Sequence, residues 1–226
     1  MKIKKTRWFR PWFILSGFKG LNRLVFDIFF PRRAVGLHYN SVFFIAFYPK
    51  YKNLEQQLIK LEEIQWTSNI PQHTSKSFCS WLHKTTPVSE FLLERLEQKP
   101  NYRLINSGYF QKKKGFFREA IIYNGDISLI YAQTHFPQKL VDEIPQLTQL
   151  GDSSLGIFLL EHGQFHKDSM EFGYLKRIEL LPAEIQVNPN IKACDSLLCR
   201  RSILAIADYK AELLEIFLPS FEELFY

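Results

Sequence analysis

The feature that most constrains this chain is a pair of apolar runs separated by a tight-turn signal, in the segment FFREAIIYNGDISLIYAQTHF at 116–136. Each run has the length and the apolar, β-branched and aromatic content of a strand. Asn124-Gly125 lies between the two runs, and such a pair readily adopts the positive φ angles that hairpin turns need. The segment therefore predicts two antiparallel strands joined by a short hairpin.

Apolar runs bounded by turn signals recur along the rest of the chain. Further strands are predicted at 102–110, 164–180, 202–209 and 211–219. Short helices are predicted at 88–98, 139–147 and 154–163, and a loop at 181–198. Strands joined mainly by hairpins, with helices set apart from them, indicate an α+β fold in which an antiparallel β-sheet carries helices on one face.

The positive charge of the chain is concentrated at its N-terminus. The formal net charge is +6, and residues 1–33 contain nine basic side chains and one acidic side chain, so the remaining residues carry −2. A nearly neutral body gives no reason to expect nucleic-acid binding. The polar, turn-rich stretch 66–76 is the best boundary, which predicts an N-terminal extension at 1–69 and a domain at 70–226.

Residues 1–35 form a basic and aromatic arm within this extension. Apolar residues recur at helical spacing from Phe18 to Phe29, and a second amphipathic helix is predicted at 53–64. Two interpretations of the arm remain open, since its apolar stripe could pack on the body or lie in a membrane interface. No apolar run is long enough for a spanning helix, and we expect no secretory signal.

The cysteine content indicates a reducing compartment. Cys79, Cys194 and Cys199 are too few for a disulfide framework, and their spacing is not that of a zinc site. We therefore expect three ordinary thiols and no metal.

Two charged residues occupy strands that are otherwise apolar. Arg118 shares a strand face with Ala120 and Ile122, and Glu215 has apolar neighbours on both faces. A buried charge without a partner costs several kcal/mol. Either the two residues form one internal salt bridge, or they face a cavity in which a ligand supplies their partners. The planar guanidinium of arginine fits a ligand carboxylate. A glutamate, whose pKa burial would raise, could accept a hydrogen bond from a ligand hydroxyl.

Several blocks of the sequence resemble the chorismate–pyruvate lyase family. The blocks are FFREAIIYNGDISLIYAQTHFP (116–137), LGDSSLGIFLL (150–160), RRSILAIADYKAELLEIFLPS (200–220) and, more weakly, WLHKTTPVSEFL (81–92). Their order and spacing carry the resemblance, which covers about residues 70–226. It is strongest with the variant branch of cyanobacteria, red-algal plastids and mycobacteria, and 181–198 resembles an insertion.

The resemblance implies an antiparallel sheet with an enclosed ligand pocket, and a lyase that eliminates pyruvate from chorismate to leave 4-hydroxybenzoate without metal or cofactor. It implies catalytic roles for Arg118, as the ligand of the ring carboxylate, and for Glu215, as the contact of the ring hydroxyl. Backbone contacts are implied at Leu155 and near Pro87. Many members have a second arginine at the position of Gln133. Because this chain lacks it, the sequence leaves open whether the site binds a doubly negative substrate.

Two other functions remain open on sequence alone. The same fold serves bacterial transcription regulators as a non-catalytic effector domain, although residues 1–69 contain no clear recognition helix. The protein could instead act at a membrane surface through residues 1–35. We expect a monomer in the cytoplasm or plastid stroma, with chorismate as its small-molecule partner.

Overall fold

The computed structural model describes residues 64–70, 75–110, 114–162 and 165–226. The arm at 1–35 and the helix predicted at 53–64 therefore lie almost wholly outside the described residues. Within the described ranges, no helix is long and apolar enough to cross a membrane.

A six-stranded antiparallel sheet organises the described residues, with strand order β1-β2-β3-β6-β5-β4. The strands are β1 Asn101–Phe110, β2 Gly115–Asn124, β3 Ile127–Pro137, β4 Phe165–Leu175, β5 Leu197–Ile206 and β6 Tyr209–Phe217. Two three-stranded meanders, β1-β2-β3 and β4-β5-β6, join where β3 pairs with β6. The predicted antiparallel α+β fold is confirmed.

The hairpin between β2 and β3 lies where the sequence predicts it. Asn124 pairs with Ile127, so Gly125 and Asp126 form the connection. Gly125 has a φ of 58°, in the left-handed region that glycine adopts without a steric penalty.

The last hairpin differs from the prediction. β5 begins at Leu197, inside the segment predicted as a loop, and its turn lies at Ala207 and Asp208, earlier than predicted. Leu197 extends the strand because it pairs with Leu175 of β4 and is buried. The charge of Arg200 obscures this strand in the sequence, but in the fold that charge is neutralised by a residue on β6.

Short helices and 3₁₀ turns cover the sheet. In the described residues the helices are α1 Lys76–Leu82, α2 Val88–Arg95, α3 Gln138–Glu143, α4 Leu155–Glu161, α5 Ala183–Gln186, α6 Pro189–Lys192 and α7 Pro219–Glu222. Because strand side chains alternate, we define face A by Arg118, Ala120 and Ile122 of β2, and face B by Glu119 and Ile121.

Face A carries two apolar clusters at its two ends. At one end, α1 and α2 pack against Ile122, Ile130 and Phe217. At the other end, α3 and α4 pack against Phe116 and Phe136. The N-terminal segments of α2 and α4, which belong to these two clusters, lie over the middle of face A.

Face B is covered by the segment that was predicted as an insertion. Ile185 of α5 and Ile191 of α6 are buried against Ile121, Tyr131 and Ile216. Helices therefore lie on both faces of the sheet, and not on one face as predicted. Burial on both faces explains why the central strands show little hydrophobic alternation.

Candidate functional site

A cavity lies on face A between the two apolar clusters. Its floor includes Ala120 and Ala132, which are paired across β2 and β3, and these small side chains leave space that larger ones would fill. All the site residues predicted from the sequence line it: Arg118, Glu215, Leu155 and Pro87. The segments around the N-termini of α2 and α4 form its roof.

Arg118 projects from β2 into this cavity with part of its guanidinium unpaired. The side chain is buried, and Nη2 donates to the carbonyl oxygens of Gly151 at 3.0 Å and Ser153 at 2.7 Å. Its Nε is buried and has no hydrogen-bond partner in the described residues. Burial lowers the pKa of Arg118, although nearby Asp152 opposes the shift. Because a guanidinium stays protonated in proteins, this free donor is available to an acceptor in the cavity.

Glu215 pairs with an arginine other than Arg118. Its Oε2 accepts from Nε of Arg200 at 2.7 Å, and both side chains are almost fully buried, at 2% and 0% exposure. Arg200 also donates from Nη1 to the carbonyl oxygen of Leu82 at 3.0 Å and lies over the ring of Trp81. An internal Arg118–Glu215 salt bridge was one of the two interpretations of the sequence, and it is wrong.

The pKa of Glu215 shifts in the direction opposite to the one predicted. Burial does raise the pKa of this carboxyl, but Arg200 and Lys167 lower it, and the net shift is downward. Glu215 is therefore an ionised carboxylate at neutral pH. Its Oε1 accepts no hydrogen bond from the described residues, so the carboxylate keeps one oxygen for a ligand donor.

Lys167 of β4 also lines the cavity, and the sequence analysis missed it. A β-bulge between Lys167 and Ser169 shifts the register of β4 against β5. Simple alternation counted back from Phe172 places Lys167 on face B, and the bulge turns it onto face A beside Leu204. A single-residue bulge leaves no periodic signal in sequence.

Two close contacts join the roof segments. Ser89 of α2 and Ser154, the N-cap of α4, share a buried hydrogen bond of 2.7 Å between their hydroxyls. At Gly156 a Cβ atom would lie 2.8 Å from Oγ of Ser89 and 2.9 Å from Cβ of Pro87. Glycine therefore lets α4 approach α2 closely, which explains the Leu-Gly pair in this block of sequence.

Gly156→Ala is expected to destabilise the protein by roughly 1–3 kcal/mol, the usual cost of overpacking, because the added methyl group must push the roof segments apart. Urea unfolding of the wild type and variant measures the difference. Gly108→Ala is a matched control, since its Cβ would come only within 3.4 Å of Phe117. Equal unfolding midpoints for the two variants would contradict this account of the roof.

Gln133 does not line the cavity. It lies on face B, where its Nε2 donates to Oε1 of Glu119 at 2.8 Å and to the hydroxyl of Tyr131 at 2.8 Å. The Tyr131 hydroxyl in turn donates to the same Glu119 oxygen at 2.9 Å. The identity of residue 133 therefore does not decide how much negative charge the cavity can hold.

Two cationic side chains and one ion pair surround the cavity. Arg118 approaches from β2 and Lys167 from β4, while Arg200 and Glu215 neutralise each other. Most of the remaining lining is apolar. Few polar groups in an apolar pocket are typical of a site that orients a small ligand.

Comparison with known proteins identifies the family of this chain. The family described as chorismate lyase matches residues 72–225. Two similar proteins are each named chorismate pyruvate-lyase, one from Pectobacterium carotovorum subsp. carotovorum and one from Pectobacterium atrosepticum. Each is 22% identical over 173 residues, which span 70% of this chain and 86% of the relative.

Proposed function

The chain belongs to the chorismate lyase family, and on that premise we propose that it eliminates pyruvate from chorismate to leave 4-hydroxybenzoate. The observation that carries this proposal is the cavity between Arg118 and Glu215. The first residue offers an unpaired guanidinium donor and the second an unpaired carboxylate oxygen. A ring with a carboxylate at one end and a hydroxyl at the other matches both.

In the proposed complex, Arg118 binds the ring carboxylate through the donors that do not reach Gly151 and Ser153. Glu215 accepts the hydrogen bond of the ring hydroxyl on Oε1. Backbone groups at Leu155 and Pro87, which lie in the roof, complete the contacts to the ring. The family resemblance supports these four assignments.

The chemistry of the substrate explains why such a site needs no metal or cofactor. The C–O bond between the ring and the enolpyruvyl group breaks, and its electrons form the keto group of pyruvate. The hydrogen on the adjacent ring carbon, which bears the hydroxyl, moves as a proton to the methylene carbon, and the electrons of the enolpyruvyl double bond form the new C–H bond of the methyl group. The electrons of the broken ring C–H bond complete the aromatic ring. Holding the two reacting parts together in a water-poor cavity supplies much of the rate enhancement.

The test is to incubate the purified full-length chain with chorismate and to measure 4-hydroxybenzoate and pyruvate. Equimolar release of both products, faster than from chorismate alone, is the expected result. Tight binding of 4-hydroxybenzoate without any turnover would reject the lyase function and favour the non-catalytic binding domain of the same fold.

We propose a monomer in the cytoplasm or plastid stroma, whose 4-hydroxybenzoate serves quinone biosynthesis. The three cysteines all lie in described residues and form no disulfide bond, which supports a reducing compartment.

The basic, aromatic composition of residues 1–35 supports peripheral contact with a membrane. The test is co-sedimentation with anionic liposomes, in which the full chain is compared with a chain that lacks residues 1–35.

A further inference from the structure

Lys167 is a buried cation with unused hydrogen-bonding capacity. The residue is 8% exposed, and its ammonium donates to the carbonyl oxygen of Thr86 at 3.2 Å. That is its one hydrogen bond within the described part of the chain, whereas an ammonium has three donors. No carboxylate of the described residues lies within salt-bridge distance of it, so its charge is incompletely compensated.

Lys167 and Arg118 reach the cavity from opposite sides. Their strands, β4 and β2, are separated in the sheet by β3, β6 and β5. Glu215 lies between them on β6, and its nearest cationic partner, Arg200, is already committed to it. The cavity therefore presents two separate cationic groups, with an ion pair of zero net charge between them.

We propose that Lys167 binds the second carboxylate of the substrate, the one carried by the enolpyruvyl group. This inference rests on the proposed function and extends it by naming a binding residue. Chorismate is a dianion, and Arg118 accounts for only one of its two carboxylates. Lys167 is the second cation of the cavity, and it is available to pair with the second carboxylate.

The substitution pattern of the ring agrees with this placement. The enolpyruvyl ether is attached to the carbon next to the one that carries the hydroxyl. If the hydroxyl lies at Glu215, the enolpyruvyl carboxylate lies on the same side of the ring and away from Arg118. Lys167 is on that side, because its strand β4 is separated from the strand of Glu215, β6, by β5 alone, whereas three strands separate it from the strand of Arg118, β2.

The protonation of Lys167 supports the same assignment. Burial lowers its pKa most strongly and Arg200 lowers it further, while Glu215 raises it, and the resulting pKa is about 8. A lysine with this pKa is still largely protonated at pH 7. A bound carboxylate would compensate its charge and raise the pKa again.

The experiment compares two ligands that differ in the second carboxylate. The probes are 4-hydroxybenzoate and the unreactive dicarboxylate 3-(carboxymethoxy)-4-hydroxybenzoate, titrated calorimetrically into the wild-type protein, Lys167→Met and Lys167→Arg. Lys210→Met is the matched control, since Lys210 pairs with Asp168 at the surface and its side chain is 70% exposed. Lys167→Arg keeps a charge at the site.

Lys167→Met is expected to weaken binding of the dicarboxylate by about 10- to 100-fold, which corresponds to the loss of one hydrogen bond between charged groups. Binding of 4-hydroxybenzoate should weaken by less than about threefold. Retained binding of 4-hydroxybenzoate also shows that the variant is folded. With chorismate, KM should rise by a similar factor while kcat changes little, because the contact is made in both the ground state and the transition state. Lys167→Arg should recover most of the loss.

Two outcomes separate this inference from the proposed function. Equal losses for both probes, or no loss for either, would overturn the role of Lys167 even if the wild-type protein turns chorismate over. Absence of turnover in the wild type would overturn the lyase function, while a selective loss of the dicarboxylate would still identify Lys167 as the ligand of a second carboxylate.

Discussion

Arg118→Ala is expected to lower kcat/KM for chorismate by roughly 100- to 1,000-fold, since truncating one partner of a buried charge pair costs roughly 2–5 kcal/mol. Arg118 is 5% exposed, and its Nε has no partner in the described residues, so a substrate carboxylate has no competing acceptor at that atom. Steady-state measurement of product formation gives the effect. The fold should persist, because among the described residues the guanidinium donates hydrogen bonds to just two loop carbonyls, those of Gly151 and Ser153.

Ligand binding separates the carboxylate role of Arg118 from a structural role. Wild-type protein should bind 4-hydroxybenzoate more tightly than 4-hydroxybenzamide, which has the same shape without the charge. Arg118→Ala should lose most of this preference. A general disturbance of the loop at Gly151 would weaken the binding of both ligands equally and leave the preference for 4-hydroxybenzoate unchanged.

Arg103→Ala is a suitable control for the removal of an arginine. Arg103 lies on β1, next to β2, but its side chain is 59% exposed and pairs with Glu184 at the surface. We expect its kcat/KM to stay close to that of the wild type. Near-normal turnover by Arg118→Ala itself would contradict the proposed site.

The elements predicted correctly from the sequence are those set by local rules. The β2–β3 hairpin follows from apolar runs and a turn that contains Gly125, both of which are visible in a short window of sequence. Strand alternation also places Arg118 on the same face as Ala120 and Ile122, as the register of β2 against β3 bears out, whereas its placement in a ligand pocket comes from the family resemblance. Neither inference needs knowledge of which distant segments pair.

The features missed in the sequence depend on cross-strand register. Glu215 meets Arg200 because β5 and β6 pair with these residues directly opposite, and a turn misplaced by a few residues changes that partner. Lys167 reaches the cavity only because β4 contains a bulge. Gln133 lies one residue from the cavity-facing Thr134, so a comparison of residue types alone cannot exclude it from the site.

The buried ion pair itself leads to the second large effect. Arg200→Met is expected to reduce the free energy of unfolding by about 3 kcal/mol at pH 7, within the range for a broken buried pair, because it leaves the Glu215 carboxylate buried. Lys167 still faces Glu215 and limits the loss. Urea unfolding of wild type and variant measures it.

The pH dependence of this loss has a defined sign. In the wild type the pKa of Glu215 is depressed, so the stability that this carboxylate contributes is present above its unfolded pKa of about 4.3 and disappears as the pH falls through the folded value. In Arg200→Met, burial acts on Glu215 without its main partner, so the carboxyl takes up a proton more readily. The difference in stability between the two proteins should therefore shrink on acidification.

A double variant distinguishes a lost ion pair from lost packing around Trp81, over whose ring the Arg200 guanidinium lies. Replacing both partners by apolar residues, Arg200→Met with Glu215→Leu, removes the uncompensated charge and should recover most of the stability, because such exchanges are often neutral or stabilising. The double variant should nevertheless be inactive, since the acceptor for the ring hydroxyl is gone. A double variant that is less stable than Arg200→Met alone would show that packing around the guanidinium, and not its charge, accounts for the loss.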